Sequence, residues 1–251
     1  GESSVVSRIL QDMHQRLWFG GFDAKGMGCV EKGVLCHYTV EDGLAHNSVQ
    51  SIIDDARGDV WIGTQGGLSR FDGETFRTYA ADEGLSSLFH QCSAKDSLGH
   101  LWFGTLRGGV YVTDGTHFQW VTSDDGLPSN SVTGLVPLEN GAMVIGTYRG
   151  IALYRPGPQL KPRVAIRSVT ADAVYPPETG LCLTLAQSHV VTIRFGSLSL
   201  ATRQMRYSYQ LEGYDAAWQD TWSTEVQFEG LPVGIYTFRV KAITRDLVVS
   251  E

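Results

Sequence analysis

Seven histidines, at positions 14, 37, 46, 90, 100, 117 and 189, are the side chains best suited to acid–base or metal chemistry. No two stand at metal-ligand spacing, and no Gly-x-Ser-x-Gly elbow or phosphate loop accompanies them. The sequence therefore points to no catalytic residue, no metal site and no cofactor. The acidic pairs Asp54-Asp55, Asp82-Glu83 and Asp124-Asp125 could serve as acid and base. Each falls between apolar runs, where the plainer expectation is solvated turn chemistry. Four cysteines, Cys29, Cys36, Cys92 and Cys182, contain no Cys-x-x-Cys pair. Cys29 and Cys36 could bridge across a hairpin; buried or free thiols are the other reading.

Binding chemistry is better represented. Gln65, Arg107, Tyr148 and Arg149 sit just after related Gly-Thr steps, and His46, Phe89 and His90 lie in a second set of variable segments. Arginine offers paired hydrogen bonds to a carboxylate or sugar, and an aromatic ring offers a stacking surface. These seven are the candidate ligand-binding residues, with ordinary solvated loop positions as the alternative.

The elements that must position them form a repeat. Leu17-Trp18-Phe19-Gly20 recurs as Val60-Trp61-Ile62-Gly63, Leu101-Trp102-Phe103-Gly104 and Met143-Val144-Ile145-Gly146, at steps of 43, 41 and 42 residues. Gly43-Leu44, Gly84-Leu85 and Gly126-Leu127 keep the same beat, as do Asp72-Gly73 and Asp114-Gly115. In the second copy, residues 48–54, 60–64, 67–71 and 76–80 read as four short strands broken by turn residues. Four strands per unit without helical periodicity predict β-propeller blades near 1–42, 43–83, 84–125 and 126–157. Trp18, Trp61 and Trp102 are then packing residues between blades. The fourth copy has Val144 in place of the tryptophan, and its last strand is in question. Four blades in an open arc would leave two blade faces exposed, so they are expected to be part of a larger propeller.

After a proline-rich stretch at 155–162 the beat stops, but alternation continues. Val191, Ile193 and Phe195 share a face; Met205, Tyr207, Tyr209 and Leu211 oppose Arg206, Ser208, Gln210 and Glu212; Tyr236, Phe238, Val240 and Ala242 form a third set. Period-two patterning over 158–251 predicts half-buried antiparallel strands and an immunoglobulin-like β-sandwich, cut short at its last strand. The whole chain is thus expected to be all-β.

Charge narrows the partners. Residues 1–157 hold 11 Lys+Arg against 18 Asp+Glu, and residues 158–251 hold 9 against 9, so the net −7 lies in the first part. That balance disfavours nucleic acid, whose phosphates need clustered cations. No apolar run approaches the roughly 18–20 residues of a membrane span, and no signal peptide is legible. The chain reads as an excised fragment, with membrane association only through segments outside it.

The unit Gly43 to Gly73, with its Asn47, Val49, Asp55, Gly58, Trp61, Gly63, Gly67 and Asp72, resembles the two-component regulator propeller repeat. Tyr207 to Trp218 and Leu231 to Ala242 resemble the three-tyrosine (Y_Y_Y) domain that follows such propellers. The resemblance implies a ligand-sensing, periplasmic or extracellular region of a bacterial inner-membrane regulator. In this reading it binds a carbohydrate or other small molecule, homodimerises in the full-length protein, and serves a histidine kinase or similar output rather than catalysing. A protein–protein interaction scaffold is the alternative, and a propeller lyase or hydrolase a further one.

Overall fold

The computed structural model describes residues 5–79, 89–157, 159–171, 173–177, 190–198 and 205–250. Ala80, Asp82, Glu83, Gly84, Leu85, Ser87, Leu88, Cys182 and His189 lie outside the described residues. The chain divides into two units, Gly1–Pro156 and Gly157–Glu251.

Alternation and turn chemistry fold each repeat of the first unit into one antiparallel sheet. Blade 1 is β1 (Arg8–Gln11), β2 (Leu17–Gly20), β3 (Met27–Glu31) and β4 (Val34–Tyr38). Blade 2 is β5 (Val49–Asp54), β6 (Val60–Thr64), β7 (Leu68–Phe71) and β8 (Phe76–Tyr79). Blade 3 is β9 (His90–Lys95), β10 (Leu101–Thr105), β11 (Val110–Thr113) and β12 (Phe118–Val121). Blade 4 has three strands, β13 (Val132–Pro137), β14 (Met143–Thr147) and β15 (Gly150–Tyr154). The innermost strands β1, β5, β9 and β13 neighbour one another in that order.

The tryptophans are buried and cross from one blade to the next. Trp18 meets the Phe71 ring edge-on at 5.4 Å, Trp61 meets Phe118 at 6.0 Å, and Trp102 meets Tyr154 at 5.0 Å. A buried indole still carries one N–H that needs an acceptor. An aspartate six residues earlier supplies it: Trp18 Nε1 donates to Asp12 Oδ2 at 2.8 Å, Trp61 to Asp55 at 3.0 Å, and Trp102 to Asp96 at 2.9 Å. The other carboxylate oxygen accepts two backbone N–H groups of the first turn. These come from His14 and Arg16, from Arg57 and Asp59, and from Leu98 and His100.

This corrects the expectation for the acidic pairs. Asp55 is buried and holds the turn to the tryptophan, while its neighbour Asp54 pairs with Lys95 of the next blade at 3.1 Å. Asp125 closes a capping box with Thr122. Turn position holds for both described pairs; solvation holds for Asp124 and Asp125, which are exposed, and fails for Asp55, which is buried among its donors.

The glycine two residues after each tryptophan has a steric cause. A Cβ on Gly20 would lie 2.9 Å from Val49 Cβ, and one on Gly63 would lie 2.9 Å from His90 Cβ. One on Gly104 would lie 2.6 Å from Val132 Cγ1. The next blade's innermost strand therefore approaches too closely for any side chain there. Blade 1 leaves Ile9, Leu17 and Leu35 exposed, and blade 4 leaves Val136, Ile151 and Leu153 exposed.

The second unit is a sandwich of two sheets. One has the order β17 (Val174–Tyr175), β16 (Arg163–Thr170), β18 (Val190–Leu198), β21 (Glu225–Glu229). The other has the order β20 (Gln219–Thr221), β19 (Arg206–Glu212), β22 (Thr237–Ile243). Val191, Ile193, Phe195, Tyr207, Leu211, Val226, Phe228 and Ala242 form its core. Residues beyond β22 fold back, with Ile243 bridging Val249 and Ser250 N–H donating to Ala242 O at 2.8 Å. Simple alternation places Arg206 and Ser208 outward, yet both are buried. Arg206 pairs with Asp220 at 2.8 Å, and its guanidinium carbon lies 6.0 Å from the Trp222 ring centroid.

Two outcomes follow from the carboxylates. Asp55→Ala leaves a buried indole N–H and two turn N–H groups without their acceptor, at a cost of about 2–4 kcal/mol; urea denaturation of wild type and variant measures it. The second concerns acid. Burial pushes the Asp114 carboxyl up, but donation from the His117 ring and from the His117 and Thr116 N–H groups outweighs it, leaving Asp114 at about 2. Burial likewise opposes, and the Trp102 and His100 bonds outweigh, in lowering Asp96. Groups lowered in the folded state stabilise fully above the ordinary aspartate value of about 3.9. Stability is therefore expected to fall as pH drops from about 4 to about 2, which a pH series of thermal melts reads directly.

Candidate functional site

Antiparallel order decides which loops share an end. In each blade the connection arriving from the previous blade and the loop between second and third strands lie at one end. The first-to-second and third-to-fourth turns lie at the other. Both candidate loop sets therefore belong to the same end of the unit, a relation that residue spacing alone leaves open.

Backbone bonds tie the two sets together. Gln65 N–H donates to Ser48 O at 3.3 Å, Leu106 N–H to Phe89 O at 3.0 Å, and Tyr148 N–H to Ser131 O at 3.0 Å. Neighbouring blades are joined as well, since Gly26 N–H donates to Asn47 O and Gly109 N–H to Asn130 O, both at 2.9 Å. Ser48 and Ser131 hydroxyls reach back to Phe22 O and Leu106 O. The asparagine side chains do a second job: Asn47 Oδ1 accepts from Val40 N–H and Asn130 Oδ1 from Ser123 N–H. Those donors open short 3-10 turns that end at Gly43 and Gly126, with φ of 103° and 101°. Leu44 and Leu127 then turn inward and are buried. The loop end is thus a hydrogen-bonded platform.

On that platform the candidates separate. Arg107, Tyr148 and Arg149 are exposed, Tyr148 to 67 %. Gln65 and Phe89 are half-buried. His46 is half-buried too, its Nδ1 accepting from Ser48 N–H at 3.0 Å. His90 is fully buried at the first position of β9, between the rings of Phe103 and Tyr111. It occupies the place that Val49 and Val132 take in the flanking blades, covering Gly63 as they cover Gly20 and Gly104. Aligning Asn47-Ser48-Val49 with Leu88-Phe89-His90 and Asn130-Ser131-Val132 carries that signal in the sequence.

Phe22 is an addition to the candidate set. It stands two residues after Gly20, as Gln65, Leu106 and Tyr148 stand after Gly63, Gly104 and Gly146. It is 48 % exposed, with the Arg8 guanidinium carbon 5.2 Å from its ring centroid. The first copy carries the phase, so extending the loop comparison to it locates the residue.

Residues 43–66 match the two-component regulator propeller family, and residues 200–248 match the Y_Y_Y domain family. The chain carries a two-component regulator propeller repeat followed by a Y_Y_Y domain. A 46-residue stretch is 46 % identical to Histidine kinase P4 of Formosa agariphila, covering 18 % of this chain and 3 % of that protein. Among solved structures, the extracellular domain of the putative hybrid two component system BT3049 from B. thetaiotaomicron has a TM-score of 0.55 at 22 % identity. That match covers 98 % of this chain and 36 % of the other, and what it establishes is the fold. The extracellular domain of the putative hybrid two component system BT4673 is also similar, with a TM-score of 0.38, 13 % identity, and coverage of 100 % and 55 %. This chain therefore spans about a third of the BT3049 domain. Among the described residues no helix is long and apolar enough to cross a membrane.

The placement of His90 in the propeller core has a direct test. His90→Val restores the residue found at the equivalent places and is expected to hold or raise the thermal midpoint. Arg107→Ala, at an exposed loop, should change stability by no more than about 0.5 kcal/mol. A large loss for His90→Val in denaturant titration would contradict the packing role.

Proposed function

We propose that the propeller unit binds a small polar ligand of the carbohydrate class at its loop end, as part of an extracytoplasmic sensor. The observation that carries this reading is the rigid platform that presents Arg107, Tyr148 and Arg149 to solvent from adjacent blades. A guanidinium can bond two oxygens of a carboxylate or diol at once, and an exposed aromatic ring stacks on the apolar face of a sugar. Exposed Phe22 adds a second ring on blade 1. Loops held by a scaffold of this kind lose little conformational freedom on binding.

The reading is of binding without turnover. Supporting it, His100 and His117 face carboxylates of their own turns at 3.2 and 3.1 Å, and His90 packs a core. These histidines serve the fold. The Y_Y_Y domain would pass the bound state to a second copy of the chain in the full-length protein, at the outer face of a bacterial membrane. That setting is drawn from the solved relatives, described as extracellular domains of hybrid two component systems.

Calorimetric titration with a panel of neutral and uronic-acid-containing oligosaccharides tests the proposal. At least one is expected to bind, with Arg149→Ala and Tyr148→Ala each weakening it tenfold or more, about 1.4 kcal/mol. Unchanged binding in both variants would move the site elsewhere. No sugar binding together with recovery of a protein partner would favour an interaction scaffold.

A further inference from the structure

The outer hairpin of blade 1 carries two thiols that take no part in the loop end. Strands β3 and β4 are joined by Lys32-Gly33, at φ of 50° and 82°, with Glu31 opposite Val34. Two central residues with positive φ make the tight turn whose twist matches the strands, and it leaves no freedom of register. Counting back from the turn, Cys29 stands directly opposite Cys36. Opposed residues share a face of the sheet. Cys29 packs there with Trp18 and Met27, and Cys36 is half-buried against the same cluster. Both are free thiols. The contrast is Cys92, whose partner across the ladder is Gly104.

We propose that Cys29 and Cys36 form a reversible cross-strand disulfide, making the outer hairpin of blade 1 a redox-sensitive element. Opposed residues in an antiparallel pair have Cα atoms about 4.5–5.5 Å apart, inside the disulfide range of about 4.4–6.8 Å. Their Cβ atoms, about 4.5–5.5 Å apart, must close to about 3.8 Å, a shift of roughly 1 Å. A bond that stores such a shift is more readily reduced than a relaxed one. The shift falls beneath the core between blades 1 and 2, where Trp18, Tyr38 and Phe71 meet.

The chemistry is ordinary thiol–disulfide exchange with a small disulfide oxidant such as oxidised glutathione. Cys36, the more accessible thiol, attacks as its thiolate, forms a mixed disulfide and releases one reduced thiol. The Cys29 thiolate then attacks Cys36 Sγ, closing the bridge and releasing the second. Two protons and two electrons leave the protein, and the oxidant is reduced to two thiols. Burial pushes the Cys29 thiol up to about 11, with lesser pulls from Arg16 downward and Cys36 upward. That keeps it largely protonated at neutral pH, so it is a poor first attacker. Its place directly opposite Cys36 is what drives the second, resolving step.

The full chain, equilibrated in oxidised and then reduced glutathione, provides the test. On oxidation the thiols titrated after denaturation should fall from four by two, peptide mass mapping should link Cys29 to Cys36, and reduction should restore the count. Cys29→Ser should trap a glutathione adduct on Cys36, while Cys36→Ser should leave Cys29 unmodified. Retention of all the thiols by the wild-type chain overturns the proposal whatever the variants do. So does a bridge that maps to Cys92 or Cys182, or an unmodified Cys36 in a folded Cys29→Ser chain.

Discussion

A buried indole must place its N–H on an acceptor, and for Trp18, Trp61 and Trp102 the acceptor is an aspartate of the preceding turn. The bond couples three levels of structure. One carboxylate oxygen shapes the turn through two backbone N–H groups, and the other fixes the indole of the second strand. The indole in turn fills the space against the next blade. A buried charge without donors would be costly, and a buried indole without an acceptor nearly so. Each therefore requires the other. The fourth blade shows the same dependence in reverse, since Val144 replaces the tryptophan and Leu138 stands six residues earlier in place of the aspartate. The pair disappears together.

The close approach of blades imposes a second constraint. Glycine after each tryptophan is required by the neighbouring blade, whose innermost strand would collide with any Cβ. This explains why the Trp-x-Gly pattern is the most visible mark of the repeat, and why a histidine can appear at a core position. His90 occupies a slot defined by a missing side chain opposite it. Variability at such a position reflects packing alternatives, whereas variability at Tyr148 or Arg107 is found where the side chain meets water.

In the Y_Y_Y domain the same reasoning modifies a simple alternation. Val191, Ile193 and Phe195 fill the sandwich core as period-two patterning requires. Arg206 and Ser208 lie on the other face of their strand, yet are buried because β20 brings Asp220 and Trp222 alongside. A charged side chain can be buried there because its partner and an aromatic ring arrive with it.

Much of the architecture was legible in the residues alone. The in-phase Trp-x-Gly, Gly-Leu and Asp-Gly landmarks place the strands of blade 2 within a residue or so of where they lie, because turns and alternation are local physics. Trp18, Trp61 and Trp102, expected as packing residues from their recurrence at one blade position, are buried against rings of the next blade. The candidate site was less legible. That both loop sets share an end depends on antiparallel order within each sheet, and the burial of His90 depends on a glycine in another blade. The buried role of Asp55 depends on a side chain six residues away, across a turn. Sequence by itself determined the repeat, its strands and the order of the two units, since those follow from local backbone preference and periodicity. Only the tertiary structure decided which polar residues meet solvent and which complete a core, because that depends on what the neighbouring strand or blade places opposite them.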